Sequence, residues 1–196
     1  MTDMTGALLP ELGRLFAETL ARVPDDAFDD PSLLPGWTRA HVVAHVHFNA
    51  VALCRLVGWA RTGVESAMYA SPAQRAEEIE RGAAEAPAVL RREVSESAVQ
   101  FSTEFGQLTE DERERIVVTA QGRHVPAREL VWIRCRELGV HAVDLDAGTT
   151  FDDLPGTFVD GLVHEIVDKR LKSGEGANLA ALLSGRTDGR PLERWL

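Results

Sequence analysis

Apolar residues recur at helical spacing along most of the chain. From Thr5 to Val23 they are Leu8, Leu12, Leu15, Phe16 and Leu20, and Pro24 closes the stretch. The segment that follows is turn chemistry: two Asp-Asp pairs, Pro31, then Pro35-Gly36. Thr38 is placed as the N-cap of a second helix, from Arg39 to about Arg61, which ends near Gly63. Ser71-Pro72-Ala73-Gln74 supplies a cap, a proline at the first helical position and a glutamine at the third. Gly82 and Pro87 keep that helix short, and a longer one runs from about Ala88 to Phe105. Thr109 and Glu112 form a capping box for one more turn. Ile116–Thr119 and Arg123–Val125, joined through Gln121-Gly122, predict a small hairpin. Pro126 opens the last long helix, to about Asp146 before Gly148. Phe158–Leu171 and the short Ala177–Leu183 follow it.

With so little strand, the pattern predicts a mainly all-α chain built as a helix bundle. Composition agrees: 196 residues with 44% in the hydrophobic set suit one domain with its own core. The net charge of −10 repels phosphate backbones and anionic lipid, which disfavours nucleic acid and membrane surfaces as partners. An anionic substrate would need a local cation. Nearly all positive charge is Arg, since Lys169 and Lys172 are the only lysines, a bias typical of a GC-rich genome. Cys54 and Cys135 sit in apolar helical stretches without a CxxC, so they read as core filling in a reducing compartment. No apolar run reaches the roughly 18 residues of a membrane span, and no leader pattern opens the chain. The expected location is cytoplasmic.

Two helices carry costly residues in apolar stripes. Turned at about 100° per residue, Arg39–Arg61 places Val42, His45, Val46, Asn49, Leu53, Leu56 and Ala60 on one face. His41 lies at its edge and His47 on the other side. On Pro126–Asp146, Leu130, Ile133, Glu137, Leu138, His141 and Leu145 share a face, with Arg134 beside them. Glu137 and His141 are i,i+4 neighbours able to converge on one point. An ionised Glu and a His in a core stripe are expensive unless paired or metal-bound. Brought together, His45, Glu137 and His141 are a His2Glu donor set for a divalent metal with water in the fourth position. The spacing equally allows a surface Glu–His pair and a satisfied core histidine. It also leaves Asp144 and His41 open as ligands.

Three separated segments resemble one family. They are Leu34-Pro35-Gly36-Trp37-Thr38-Arg39-Ala40-His41-Val42-Val43-Ala44-His45 with Asn49-Ala50, then Trp59-Ala60-Arg61-Thr62-Gly63 with Met68-Tyr69, then Arg134-Cys135-Arg136-Glu137 with His141-Ala142-Val143-Asp144-Leu145. Over about residues 5–150 the chain resembles the mycothiol-dependent maleylpyruvate isomerases of the DinB-like superfamily. The resemblance implies a DinB-like four-helix bundle over residues 1–150, holding zinc through His45, Glu137 and His141.

It further implies mycothiol, the low-molecular-weight thiol of actinobacteria, as cosubstrate. A free thiol has a pKa near 8.5, and a coordinating cation holds it as thiolate at neutral pH. In the isomerase the thiolate adds to the cis double bond of maleylpyruvate, the bond rotates, and elimination gives the trans isomer. The same thiolate attacking another electrophile and staying attached would make an S-transferase. A bundle that binds metal or a small molecule without turnover is the third reading. Candidate substrate or cosubstrate contacts are Asn49, Arg134 and Arg186, the last in a C-terminal stretch similar to the family's. Asn49 and the two arginines serve equally as a core hydrogen bond and surface ion pairs. Trp37 reads as packing, and His47, His124 and His164 as solvated or structural. Family isomerases carry a second α/β domain, and residues 151–196 form a short, mostly helical extension expected to lack most of it. Monomer and homodimer are both left open.

Overall fold

The computed structural model describes residues 2–186 and 191–192, with side chains from residue 7 onward. It divides into two compact units, Met1–Asp153 and Leu154–Leu196.

In the first unit, α1 (Thr2–Ala21) buries Leu8, Leu12, Phe16 and Leu20 on the face the periodicity marks. The second helix, α2 (Arg39–Thr62), begins at a capping box. Thr38 Oγ1 accepts from His41 N–H, and His41 Nδ1 accepts from Thr38 N–H. It ends at Gly63, whose φ of 75° is the left-handed conformation glycine adopts without strain, with its N–H on Trp59 O at 2.8 Å. Among the described residues α2 alone is long and apolar enough to cross a membrane by length and composition. His41, His45, His47 and Asn49 interrupt its apolar run, which is why no unbroken span shows in the sequence. Its surface is covered by protein instead, because α3 (Pro72–Ala83), α4 (Pro87–Gly106) and α6 (Leu130–Asp144) all pack on it. Leu53, Leu56, Val42, Val43 and Val46 are fully buried there.

After the single turn α5 (Glu110–Glu114), capped by Thr109 and Glu112 as expected, β1 (Ile116–Val118) pairs antiparallel with β2 (His124–Pro126). Val117 opposite Val125 seals the bundle's edge, and Gly122 turns the chain at φ 73°. Pro126 does not open the last long helix. It pairs with Ile116, and Ala127 N–H then bonds Arg115 O at 2.9 Å, which holds Pro126 extended. A 3-10 turn over Ala127–Glu129 follows, so α6 starts at Leu130 and ends at Asp144, short of Asp146. The bundle proper is α1, α2, α4 and α6: α1 packs on α6, α6 on α2 and α2 on α4, while α1 and α4 touch only sparsely.

The second unit holds α7 (Gly156–Lys172) and α8 (Gly176–Leu183), which meet at their connecting turn. Arg170 Nη1 pairs with Glu175 Oε2 at 2.7 Å across their connecting turn. Gly185, at φ 73°, closes α8 in a Schellman motif: its N–H bonds Leu182 O and Arg186 N–H bonds Ala181 O.

Candidate metal centre

The start of α2 is fastened to the end of α6. Arg39, the first residue of α2, donates from Nε to Leu145 O (2.8 Å) and from Nη2 to Asp146 O (3.2 Å). These are carbonyls a helix end leaves without intrahelical donors. Leu33 N–H adds a bond to Asp144 O at 2.9 Å. Deeper in the bundle, Arg134 of α6 donates from Nη1 to Val46 O (2.7 Å) and Asn49 Oδ1 (3.1 Å) of α2. The helices therefore run antiparallel in fixed register. Between the two fastenings His45 meets Glu137.

There the three residues converge. His45 Nε2 lies 2.9 Å from Glu137 Oε2, and His141 Nε2 lies 3.3 Å from that same oxygen. One ligand atom from each of the three falls within 4.8 Å of the others, and all three residues are buried. Two ligands at 2.0–2.1 Å from a tetrahedral ion stand about 3.3 Å apart, close to the two His–Glu137 separations, so these three residues could hold a divalent ion. The two imidazoles meet edge-on, 4.8 Å between centroids, and Trp37 leans on His45 at 5.5 Å. Asp144 takes a second position: its Oδ2 is 2.9 Å from His141 Nδ1. A carboxylate there keeps a proton on Nδ1 and points Nε2 into the cluster.

The charges respond to this crowding. Burial alone would raise the Glu137 carboxyl, but hydrogen bonds from His141 and His45 hold it well below its ordinary range. Burial lowers His45, and the bond to Glu137 only partly offsets that. His141 is disfavoured by burial too, yet Asp144 and Glu137 lift it to about 9. Without an ion, His141 is the protonated member at neutral pH.

Arg75 also reaches the cluster. It stands one turn into α3, behind the cap that Ser71 provides, and donates from Nη2 to His45 Nδ1 at 3.2 Å. Tyr69 bonds to Arg75 in turn, its hydroxyl pushed up by burial. The sequence carries no periodic signal for Arg75, because its neighbours on α3 are mostly polar. The other residues singled out lie elsewhere. Asn49 and Arg134 face each other inside the bundle, with Arg134 only 1% exposed. Arg186 is exposed in the second unit, donating to Ser184 O at 2.8 Å. His41 serves the α2 cap and reaches Glu80 at 3.3 Å, so it stays out of the cluster. His47 bonds Glu93 O and Ser97 Oγ, both at 3.1 Å. His164 bonds Asp160 O within its own helix, and His124 lies exposed on β2. Burial pushes both free thiols, Cys54 and Cys135, up to about 12, which leaves them inert as nucleophiles.

Residues 9–146 match the family description "mycothiol maleylpyruvate isomerase N-terminal domain", a range that contains all three clustered residues. The chain belongs to the mycothiol-dependent maleylpyruvate isomerase family. A crystal structure of the mycothiol-dependent maleylpyruvate isomerase superposes with a TM-score of 0.86 at 40% identity, covering 89% of this chain and 72% of that one. A mutant of that isomerase, histidine to alanine at one position, gives 0.82 at 40% identity, covering 85% and 70%. The 89% share exceeds the first unit alone, so the likeness to the isomerase reaches into the second unit, beyond the bundle. No curated protein matches.

Proposed function

We propose that His45, Glu137 and His141 hold a divalent metal ion, zinc by donor type, and that the chain uses it to activate mycothiol against a carboxylate-bearing electrophile of the maleylpyruvate type. The convergence of both Nε2 atoms on one Glu137 oxygen, inside a buried site, is the observation that carries this reading. An ion bound there would supply the positive charge that keeps a thiol deprotonated at neutral pH. Asp144 orients His141 for it. His45 must present its Nε2 lone pair, which moves its proton to Nδ1, the atom on which Arg75 now donates. Arg75 is then released from the ring and offers the substrate carboxylate a guanidinium beside the cluster. That meets the need for a local cation in a chain of net charge −10. Arg134 and Asn49, bonded to each other, brace α2 against α6. A cytoplasmic location and small-molecule partners complete the proposal.

Metal analysis and paired assays test it. Purified protein is expected to carry near-stoichiometric divalent metal, with Glu137→Ala depleted of it. Maleylpyruvate is expected to isomerise only when mycothiol is present. A thiol adduct accumulating with another electrophile, and no isomerisation, would make the chain an S-transferase. Metal-free wild-type protein, or thiol-independent turnover, would overturn the reading.

A further inference from the structure

Residues 63–71, between α2 and α3, form no helix or strand, yet the end of this segment is pinned on both sides of Tyr69. Before it, the Met68 carbonyl accepts from Arg55 Nη1 of α2, and Met68 Sδ accepts from Ala120 N–H at 3.2 Å. After it, Ala70 N–H donates to Gln74 Oε1 of α3 at 2.6 Å. The Tyr69 ring packs against the apolar cluster that contains Leu53, Leu56 and Phe101, and its hydroxyl bonds Arg75. Tyr69 therefore has a set position beside the guanidinium that reaches His45.

That guanidinium has no anionic partner. Arg75 faces two neutral groups, His45 Nδ1 at 3.2 Å and the Tyr69 hydroxyl, and makes no ion pair among the described residues. Glu78, one turn further along α3, is engaged by Gln74 Nε2 at 2.9 Å and stands 3.9 Å from Arg55 Nη2. Arginine only donates, so the Tyr69 oxygen is the acceptor in their bond and its own proton stays free for another acceptor. Burial keeps that hydroxyl protonated. Tyr69 and Arg75 are both half-buried rather than closed off.

We propose that Tyr69 is a specificity-determining residue: its hydroxyl proton and the Arg75 guanidinium together receive one carboxylate of the substrate beside the clustered His45, Glu137 and His141. Two adjacent donors match the two oxygens of a carboxylate, and a charge-assisted pair outweighs the neutral bonds it replaces. Tyr69 also keeps Arg75 at the site once His45 no longer accepts from it. The inference rests on the proposed function, which supplies an acid substrate and frees Arg75 from His45.

Tyr69 is the only tyrosine of the chain, so a tyrosine signal reports on it alone. Metal-loaded, full-length protein is titrated calorimetrically, without thiol, with fumarate and with neutral fumaramide. Fumarate is expected to bind wild type more tightly than fumaramide does, and Tyr69→Phe to weaken fumarate binding roughly tenfold with metal content unchanged. In protein carrying 3-fluorotyrosine, the single fluorine resonance is expected to move as fumarate saturates the site and to stay in place with fumaramide. This second measurement needs no substitution, so it decides the matter even if Tyr69→Phe folds poorly. Fumarate affinity unaltered by Tyr69→Phe, or a resonance indifferent to fumarate, would overturn the role of Tyr69 while leaving the metal reading intact. Wild-type protein that holds no metal would instead overturn the reading on which it rests.

Discussion

Asp144 accepts from His141 Nδ1 at 2.9 Å while the opposite nitrogen of that ring faces Glu137. Removing the carboxylate's charge leaves the hydrogen-bonding shape but weakens its hold on the tautomer. Asp144→Asn is therefore expected to lower metal affinity by roughly 10–100-fold, with helix content unchanged, as read by competition with a chromogenic chelator. Glu137→Gln removes the charge of a proposed ligand outright and is expected to lose the ion under the same competition. An Asn variant that holds metal as tightly as wild type would assign Asp144 to packing. The residue types were legible in advance, because a Glu and two His in apolar stripes demand a partner. The role of Asp144 was not, since i,i+3 spacing from His141 fits a ligand and an orienting group equally well.

Between elements, what could be read was the face of each helix, and what could not was which faces meet. Periodicity put His45 and Asn49 on one stripe of α2, and Glu137 and His141 on one stripe of α6. The join between them is made by Arg39 on α6's terminal carbonyls and by Arg134 on Val46 O, long-range bonds that leave no periodic trace. Pro126 illustrates the same limit: fixed φ suits the start of a helix and the end of a strand alike, and hairpin pairing decided it. Gly82 shows why α3 sits where it does. A Cβ there would stand 2.8 Å from Phe48 Cε2 and 3.0 Å from Ala44 Cβ, so only glycine lets α3 approach α2 this closely. Alanine elsewhere in a helix gains up to about 1 kcal/mol over glycine. At Gly82 the overlap is expected to exceed that gain, making Gly82→Ala destabilising by about 1–2 kcal/mol in denaturant unfolding. Gly58 of α2 has open space at its Cβ, and Gly58→Ala is expected to stabilise. If both substitutions stabilise, the α2–α3 approach is looser than the contact distances imply.

For the whole molecule, the buried centre ties stability to pH, and an ion held there would change that dependence. In metal-free protein His141 titrates at about 9 against an ordinary 6.5, so its contribution is complete below about pH 6.5 and is lost as pH rises through 9. Glu137 works in the opposite sense: its lowered carboxyl contributes above its ordinary 4.5 and loses that only in acid. An ion bound at Nε2 would replace the His141 proton, which would remove the alkaline loss and make binding release protons. Chelated protein is thus expected to melt at progressively lower temperature between pH 7 and 9, while loaded protein changes little over the same interval. The gap between the two melting curves should widen with pH, because the proton that competes with the ion becomes scarcer. Parallel decline of both curves would mean that His141 keeps its proton when the ion is bound. The ion would then have to sit on a donor set other than the one His45, Glu137 and His141 form.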